Sequence, residues 1–467
     1  MNHSTNYPNK KGKSIRILAL FLILTYFSSC DSFVEVDLPS SQLTGDLVFK
    51  DKNTANAALI DIYAKIRDNG LLSGNLTGTS TSLGLYADEL NYYGPVTDTG
   101  GSLYNNTLIA TDANVRQIWN ITYGQIYAVN ALIAGMLDAP IPKVDRDQLI
   151  AEGLFIRSLL YFYLINTFGD VPFITFTDYR VNSIAQRVEI QTIYTSIIAD
   201  LKQASSMIQE SYQSHGRVRP NRATVNALLA RVYLYTNQWQ ESVSTASAVL
   251  NQSEYSLELP ISQVFLKESP STVWQFSPKF EGNNTDFGIT FIFNSGPPPF
   301  VALTEGLINA FEENDQRKLY WTTAVTNNVK TWYYSSKYTQ NGFTGVSIEY
   351  PIVFRIQEQY LIRAEANARL GRLTEAKEDL DKVRIAAGLI DSNAVTQQEI
   401  VDAILRERRV EFFGEYGGRF YDLKRTGNLN QALSSVKLGW NANDALFPIP
   451  ENEILINPNL KPQNSGY

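Results

Sequence analysis

Apolar residues recur along most of this chain at the spacing of a helix face, which limits the fold to helices packed on helices. Leu59, Ile62, Tyr63 and Ile66 stand at i, i+3, i+4 and i+7, one stripe of a 3.6-residue repeat. Asn53 is the expected cap of this helix and Gly70 its stop. Asn114 to Leu137 reads as a second helix, closed before Pro140 and Pro142. Asp147 to Phe168 reads as a third, with Leu154, Phe155, Leu159, Phe162 and Ile165 inward. Gly169 ends it and Pro172 prevents continuation. Ile193, Ile197, Leu201, Ala204 and Ile208 mark a fourth, and Gln397 to Phe413 another.

Two segments read as helical hairpins of the tetratricopeptide type. One runs from Asn221 to Leu250 with a turn at Thr236-Asn237-Gln238; the other runs from Glu358 to Ala387 with a turn at Leu370-Gly371-Arg372. Ala230, Trp239 and Ser242 of the first align with Ala364, Leu373 and Ala376 of the second. Small residues at such positions let paired helices approach, and stacked pairs bury a continuous core. The expected fold class is therefore mainly α: a scaffold of helical pairs with long irregular loops and a few short strands.

Two excursions interrupt the helical pattern, near residues 71–112 and 255–350. The first is rich in Gly, Thr, Asn and Tyr. The second contains Val273-Trp274-Gln275-Phe276 and Ile289-Thr290-Phe291-Ile292-Phe293, which read as short strands. Loops of this length in a compact domain are usually functional.

The N-terminus carries an export pattern. Lys10, Lys11, Lys13 and Arg16 precede an apolar run from Ile17 to Leu24 that extends to Phe27. The run is too short to span a bilayer and fits a signal-peptide core. Ser28 and Ser29 then precede Cys30, the only cysteine of the chain. A small pair followed by cysteine at this place resembles a bacterial lipoprotein box, in which the thiol takes a diacylglycerol and becomes the first residue after cleavage. The expected division is residues 1–29 as signal peptide, 30–40 as lipidated tether and 41–467 as one domain. A single cysteine excludes internal disulfides, so the domain must be held by its core.

Charge and histidine content narrow the function. The whole chain carries −7, and the first 29 residues hold four basic side chains and no acid, so the remainder is more acidic still. A net acid disfavours nucleic acid as partner. Of two histidines, His3 leaves with the signal and only His215 remains, in a polar turn beside Gly216. A His-based triad or zinc site has nothing else to rest on. No glycine-rich phosphate loop and no oxygen-ligand cation motif is present. Glu407, Glu411 and Glu415 are spaced four apart, as on one helical face, but Arg406, Arg408, Arg409 and Arg419 are interleaved with them. Carboxylates beside guanidinium groups stay ionised, so this reads as an ion-pair network rather than a general acid. The same reading covers Glu152 with Arg157, and Arg355, Glu358, Arg363 and Glu365. No catalytic residue, cofactor or metal is expected.

Aromatic residues in the two excursions are the stronger lead. Tyr92, Tyr93 and Tyr104 lie in the first; Trp321, Trp332, Tyr333 and Tyr334 lie in the second. The C–H faces of sugar rings stack on such side chains, which lose little entropy on binding. Tyr92 and Tyr93, flanked by Asn91 and Gly94, are the leading pair, whereas Trp274 and Phe276 read as core.

Four ordered segments together resemble the SusD/RagB family of nutrient-binding lipoproteins. They are Ala151-Glu152-Gly153 through Arg157 to Phe173; Arg355 to Ala366, where Gln357 replaces a commonly small residue; Glu407-Arg408-Arg409 through Gly418-Arg419-Phe420 to Arg425; and Phe447 to Tyr467. The resemblance extends from Cys30 to the last residue. It implies an outer-membrane, surface-facing position, a glycan or alternatively a peptide or other nutrient as cargo, and a SusC-like TonB-dependent barrel as partner. It also implies that the stretch after Ala87-Asp88-Glu89 and the one containing Asp315, Arg317 and Trp321 are places for ligand contacts, with Trp321 open to a structural role.

Overall fold

The computed structural model describes residues 1–3, 48–257 and 259–467. The export segment, the tether and Cys30 lie outside the described residues. Residues 48–467 form one unit, and it is built by helices laid side by side.

Helix α1 (Lys52–Asp68) begins two residues earlier than the sequence suggested, because the Asp51 carboxylate accepts from the backbone N–H groups of Asn53 and Thr54. Asn53 is therefore inside the helix and not its cap. After the short helices α2 (Thr79–Tyr86) and α3 (Thr99–Asn105) come α4 (Ala113–Leu137) and α5 (Lys143–Phe168). Helix α5 starts four residues before the expected Asp147, since a proline at the cap, here Pro142, closes the segment before it and not the one after. It is buried from Gln148 to Phe168, and Gly169 ends it at φ +77°. It is long and apolar enough to cross a bilayer, but its apolar stretch is enclosed by other helices.

Helix α6 (Ile190–Met207) packs on α5, and the two hairpins follow: α7 (Arg222–Tyr235) with α8 (Trp239–Leu250), and α10 (Ile356–Arg369) with α11 (Leu373–Ala386). Between them lies the short helix α9 (Gln316–Trp321). The hairpins turn through left-handed residues, Asn237 in one and Gly371 in the other. Capping boxes start α7, from Asn221 with Thr224, and α12 (Gln397–Glu411), from Thr396 with Glu399. Helix α8 packs directly on α10, and α12 packs on α10 and α11. The helical stack thus runs on as though the hundred or so residues between Leu250 and Ile356 were absent.

Ala230, Ser242, Ala364 and Ala376 are fully buried at the hairpin contacts, and the Ser242 hydroxyl donates to the Ala230 carbonyl at 3.1 Å. Ala230→Leu is expected to overpack this contact and cost about 1–3 kcal/mol, measurable as a lower urea midpoint; an unchanged midpoint would show slack between the helices.

The inserted residues supply all but one of the strands among the described residues. Strands β1 (Leu90–Tyr92), β3 (Val301–Leu303), β5 (Thr331–Ser335) and β4 (Thr322–Thr326) lie side by side in that order. Strands β2 (Thr272–Gln275) and β6 (Ile352–Arg355) pair separately. The expected strand at residues 289–293 is instead a short helix, Asp286–Phe291. Thr285 caps it, and Phe287 and Phe291, four apart, are its buried face. The first excursion is also less irregular than its composition suggested, since it holds α2 and α3.

Buried ion pairs knit the stack. Arg317 is fully enclosed and meets Asp315, Glu407 and Glu411; Arg355 meets Glu411 and Glu415; Arg384 meets Glu312 and Glu407. The glutamates do form a network, but with arginines from distant elements. Their sequence neighbours turn away: Arg408 binds Asp422, and Arg409 binds Asp88. Glu415 lies beyond the end of α12, so the three do not share one helical face. Glu152 and Arg157, five apart on α5, point to different sides. Glu152 pairs with Arg219 and Arg157 with Asp200. Glu358 pairs with Arg231, Arg363 with Asp379, and Glu365 with Arg425.

Candidate functional site

The sheet draws the two excursions together. Leu90, Asn91 and Tyr92 stand opposite Leu303, Ala302 and Val301, and the Tyr93 N–H donates to the Phe300 carbonyl at 2.7 Å. Strand side chains alternate between faces, so the aromatic residues divide. Tyr92 and Tyr333 lie against the main core, as does Tyr104 of α3. Tyr93 and Tyr334 lie on the other face around Phe293, Ala302 and Trp332.

Each expected ligand contact has a definite place. Tyr92 is half-buried; its hydroxyl donates to the Asp98 carboxylate at 2.6 Å, and its ring rests over Gly94 and Gly100. A Cβ at Gly100 would come within 2.4 Å of that ring, so a larger residue there would displace it. Tyr104 is half-buried and donates to the Asn91 side chain at 3.3 Å. Trp332 is buried against Gly296 and packed with Phe293 and Ala302, and its indole Nε1 has no partner. Tyr93, Tyr333 and Tyr334 are half-buried along the sheet. Trp321 is set apart from them. It is enclosed, stacks edge-on against Phe265, and donates its indole N–H to the Ile261 carbonyl at 3.1 Å. With Asp315 and Arg317 also enclosed, that stretch is core.

Two cavities are lined in part by residues of β1. One, of about 260 Å³, is lined by Tyr92, Asp98, Asn114, Gln117 and Phe300. Phe300 is 42% exposed. Asn114, at the start of α4, is buried, and its side-chain oxygen has no hydrogen-bond partner. The other cavity, of about 520 Å³, is lined by Asp88, Asn91, Tyr104, Arg409, Arg419 and Lys437 among others. The sequence had marked Asn114 only as a helix start and Phe300 and Lys437 not at all. Nothing local distinguishes them, since their places come from contacts across the chain.

Asp88 anchors β1 to the C-terminal helices. It accepts from Arg409 of α12 at 2.9 Å and from Arg419 of α13 (Gly418–Arg425) at 2.8 and 3.0 Å. Burial alone would raise its pKa, but the two guanidinium groups hold it below the usual carboxylate range. Glu89 next to it is pushed up to about 7, chiefly by burial and then by Asp88. His215 sits exposed in a tight turn, away from these cavities.

Comparison with known proteins decides the family. A model described as the SusD family matches residues 310–467, and one described as starch-binding and associating with the outer membrane matches residues 93–234. The chain belongs to the SusD/RagB family. A SusD-like protein of Formosa agariphila is 24% identical over 97% of this chain and 99% of its own length. Among solved structures, a SusD superfamily protein of Bacteroides vulgatus superposes with a TM-score of 0.79 at 20% identity, covering 90% of this chain and 99% of that one. A laminarin-binding SusD-like protein superposes at 0.75 with 24% identity, covering 90% of this chain and all of its own. SusD-family members are binding proteins associated with the outer membrane and with glycans, and the helical scaffold here is theirs.

Proposed function

We propose that this SusD-family protein captures oligosaccharides at the cell surface and passes them to a SusC-like TonB-dependent barrel without cleaving them. In this reading Cys30 carries the lipid that holds it to the outer membrane, through a short tether ahead of the helical body. The observation that carries the reading is the smaller cavity beside β1. It sets the rings of Tyr92 and Phe300 beside a buried Asn114 oxygen that lacks a donor, with Asp98 and Gln117 around them. A sugar supplies what is missing, an apolar C–H face for the rings and a hydroxyl donor for Asn114. A laminarin-binding relative of the same fold supports the choice of ligand class.

Affinity electrophoresis and calorimetry against a glycan panel test this. Tyr92→Ala, alone and combined with Tyr93→Ala, is expected to weaken binding about tenfold or more. Tyr92→Phe, which keeps the ring and loses the bond to Asp98, is expected to bind nearly as well as the parent. Unchanged affinity in the double variant would remove the site from this place. Release of shortened product from any bound glycan would replace capture with hydrolysis.

A further inference from the structure

We propose that the larger cavity, beside β1, receives the anionic group of an acidic sugar, a uronate carboxylate or a sulfate ester. This rests on the glycan-binding reading and narrows it to charged ligands. Three cations line the cavity, Arg409, Arg419 and Lys437, against the single carboxylate of Asp88. Asp88 is shared by both arginines, so one of their two positive charges is left over, together with that of the lysine. This surplus stands out in a chain whose net charge is −7.

The cations are held in place and incompletely satisfied. Arg409 has its Nε buried with no acceptor. Lys437 is buried; its ammonium donates to the Leu85 carbonyl at 2.6 Å and lies 4.2 Å over the Tyr104 ring. Among the described residues no carboxylate lies within ion-pair distance of it. One carbonyl and one ring face leave an ammonium hydrogen for an incoming acceptor. Burial lowers its pKa to about 8, so it is still mainly charged at neutral pH. The loop carrying Lys437 is seated by Gly439, where a Cβ would come within 1.8 Å of the Asn105 carbonyl oxygen. A buried cation without its counter-charge is costly, and a bound anion offsets that cost. Asn91 and Tyr104 are placed beside it to meet the hydroxyls and the face of the same sugar.

The test is calorimetry on the folded chain with three oligosaccharides: oligogalacturonate, a sulfated carrageenan fragment and neutral laminarin. Lys437→Gln is the main variant and Arg409→Gln the second, each checked for an unchanged circular dichroism spectrum. An acidic oligosaccharide is expected to bind, and Lys437→Gln to weaken it about tenfold while laminarin affinity does not change. Whether galacturonate or carrageenan binds identifies the anionic group. Binding of acidic oligosaccharides that both variants leave intact, or binding of laminarin alone, overturns the proposal and leaves glycan capture standing. Free galacturonate against free galactose reads the cavity by itself. If no oligosaccharide binds, capture falls, and equal affinity for the two monosaccharides overturns the anion assignment as well.

Discussion

Arg317→Leu is expected to destabilise the protein by about 3–5 kcal/mol, the cost of leaving buried charges unpaired. Arg317 is fully enclosed and contacts Asp315 at 2.8 Å, Glu407 at 2.6 Å and Glu411 at 2.9 Å. Its removal leaves carboxylates facing one another among Trp321, Phe265 and the ends of α9 and α12. Arg355, Arg384 and Lys337 remain to answer them, and each already has another partner. Guanidinium denaturation of the chain lacking its first 30 residues measures the loss. A change under about 1 kcal/mol would mean that water enters and screens the cluster.

The pH dependence follows from Glu411. Burial raises its pKa, but Arg355 and Arg317 outweigh burial and hold it below the usual carboxylate range. A carboxyl whose folded pKa is depressed contributes stability that is present above its unfolded pKa and lost as pH falls through the folded one. The parent is therefore expected to lose this contribution below about pH 4.5. The gap between parent and Arg317→Leu should narrow over the same range, because protonated carboxyls no longer repel. Glu407 moves the other way, its pKa raised by burial despite Arg317 and Arg384. It protonates first on acidification and advances the narrowing. A gap that stayed constant down to strong acid would contradict this account.

Cys30→Ala is expected to shift the protein from the membrane fraction to the soluble fraction with glycan affinity unchanged. Each acyl methylene buried in the bilayer contributes about 0.8 kcal/mol, so a lipid on Cys30, as proposed above, would dominate attachment. Fractionation of cells expressing the variant reads the distribution, and a urea wash separates protein held only by contact with a barrel. Variant protein that resists the wash would require an anchor other than Cys30.

The helices were legible because their signals are local. The stripe of Leu59, Ile62, Tyr63 and Ile66, the small residues Ala230 and Ser242, and the stop at Gly169 lie within a few residues of what they control. Where such signals competed, the nearest one won: Asp51 capped α1 in place of Asn53, and Thr285 started a helix where alternating apolar residues had suggested a strand. Of the expected ligand contacts, the sheet gathered Tyr92, Tyr93, Trp332 and Tyr333, with Tyr104 alongside, but enclosed Trp321. An exposed tryptophan and a core tryptophan look alike in sequence, and only the packing of Phe265 and Lys337 around Trp321 tells them apart.

By itself, the sequence determined the helical scaffold, its paired hairpins, the lipoprotein-like N-terminus and the resemblance to the SusD/RagB family. Those features are set by periodicity, capping and short motifs. The tertiary structure decided which charges pair, which aromatic residues share a face, and that two cavities are lined in part by β1. Asp88 meets Arg419 across 331 residues, and β1 pairs with β3 across more than two hundred. Such partners are chosen by the closure of the whole chain around its core, where desolvation makes one geometry far cheaper than the rest. The orphaned oxygen of Asn114 and a Lys437 ammonium held by the Leu85 carbonyl, with no carboxylate among the described residues in ion-pair distance, exist only after that closure.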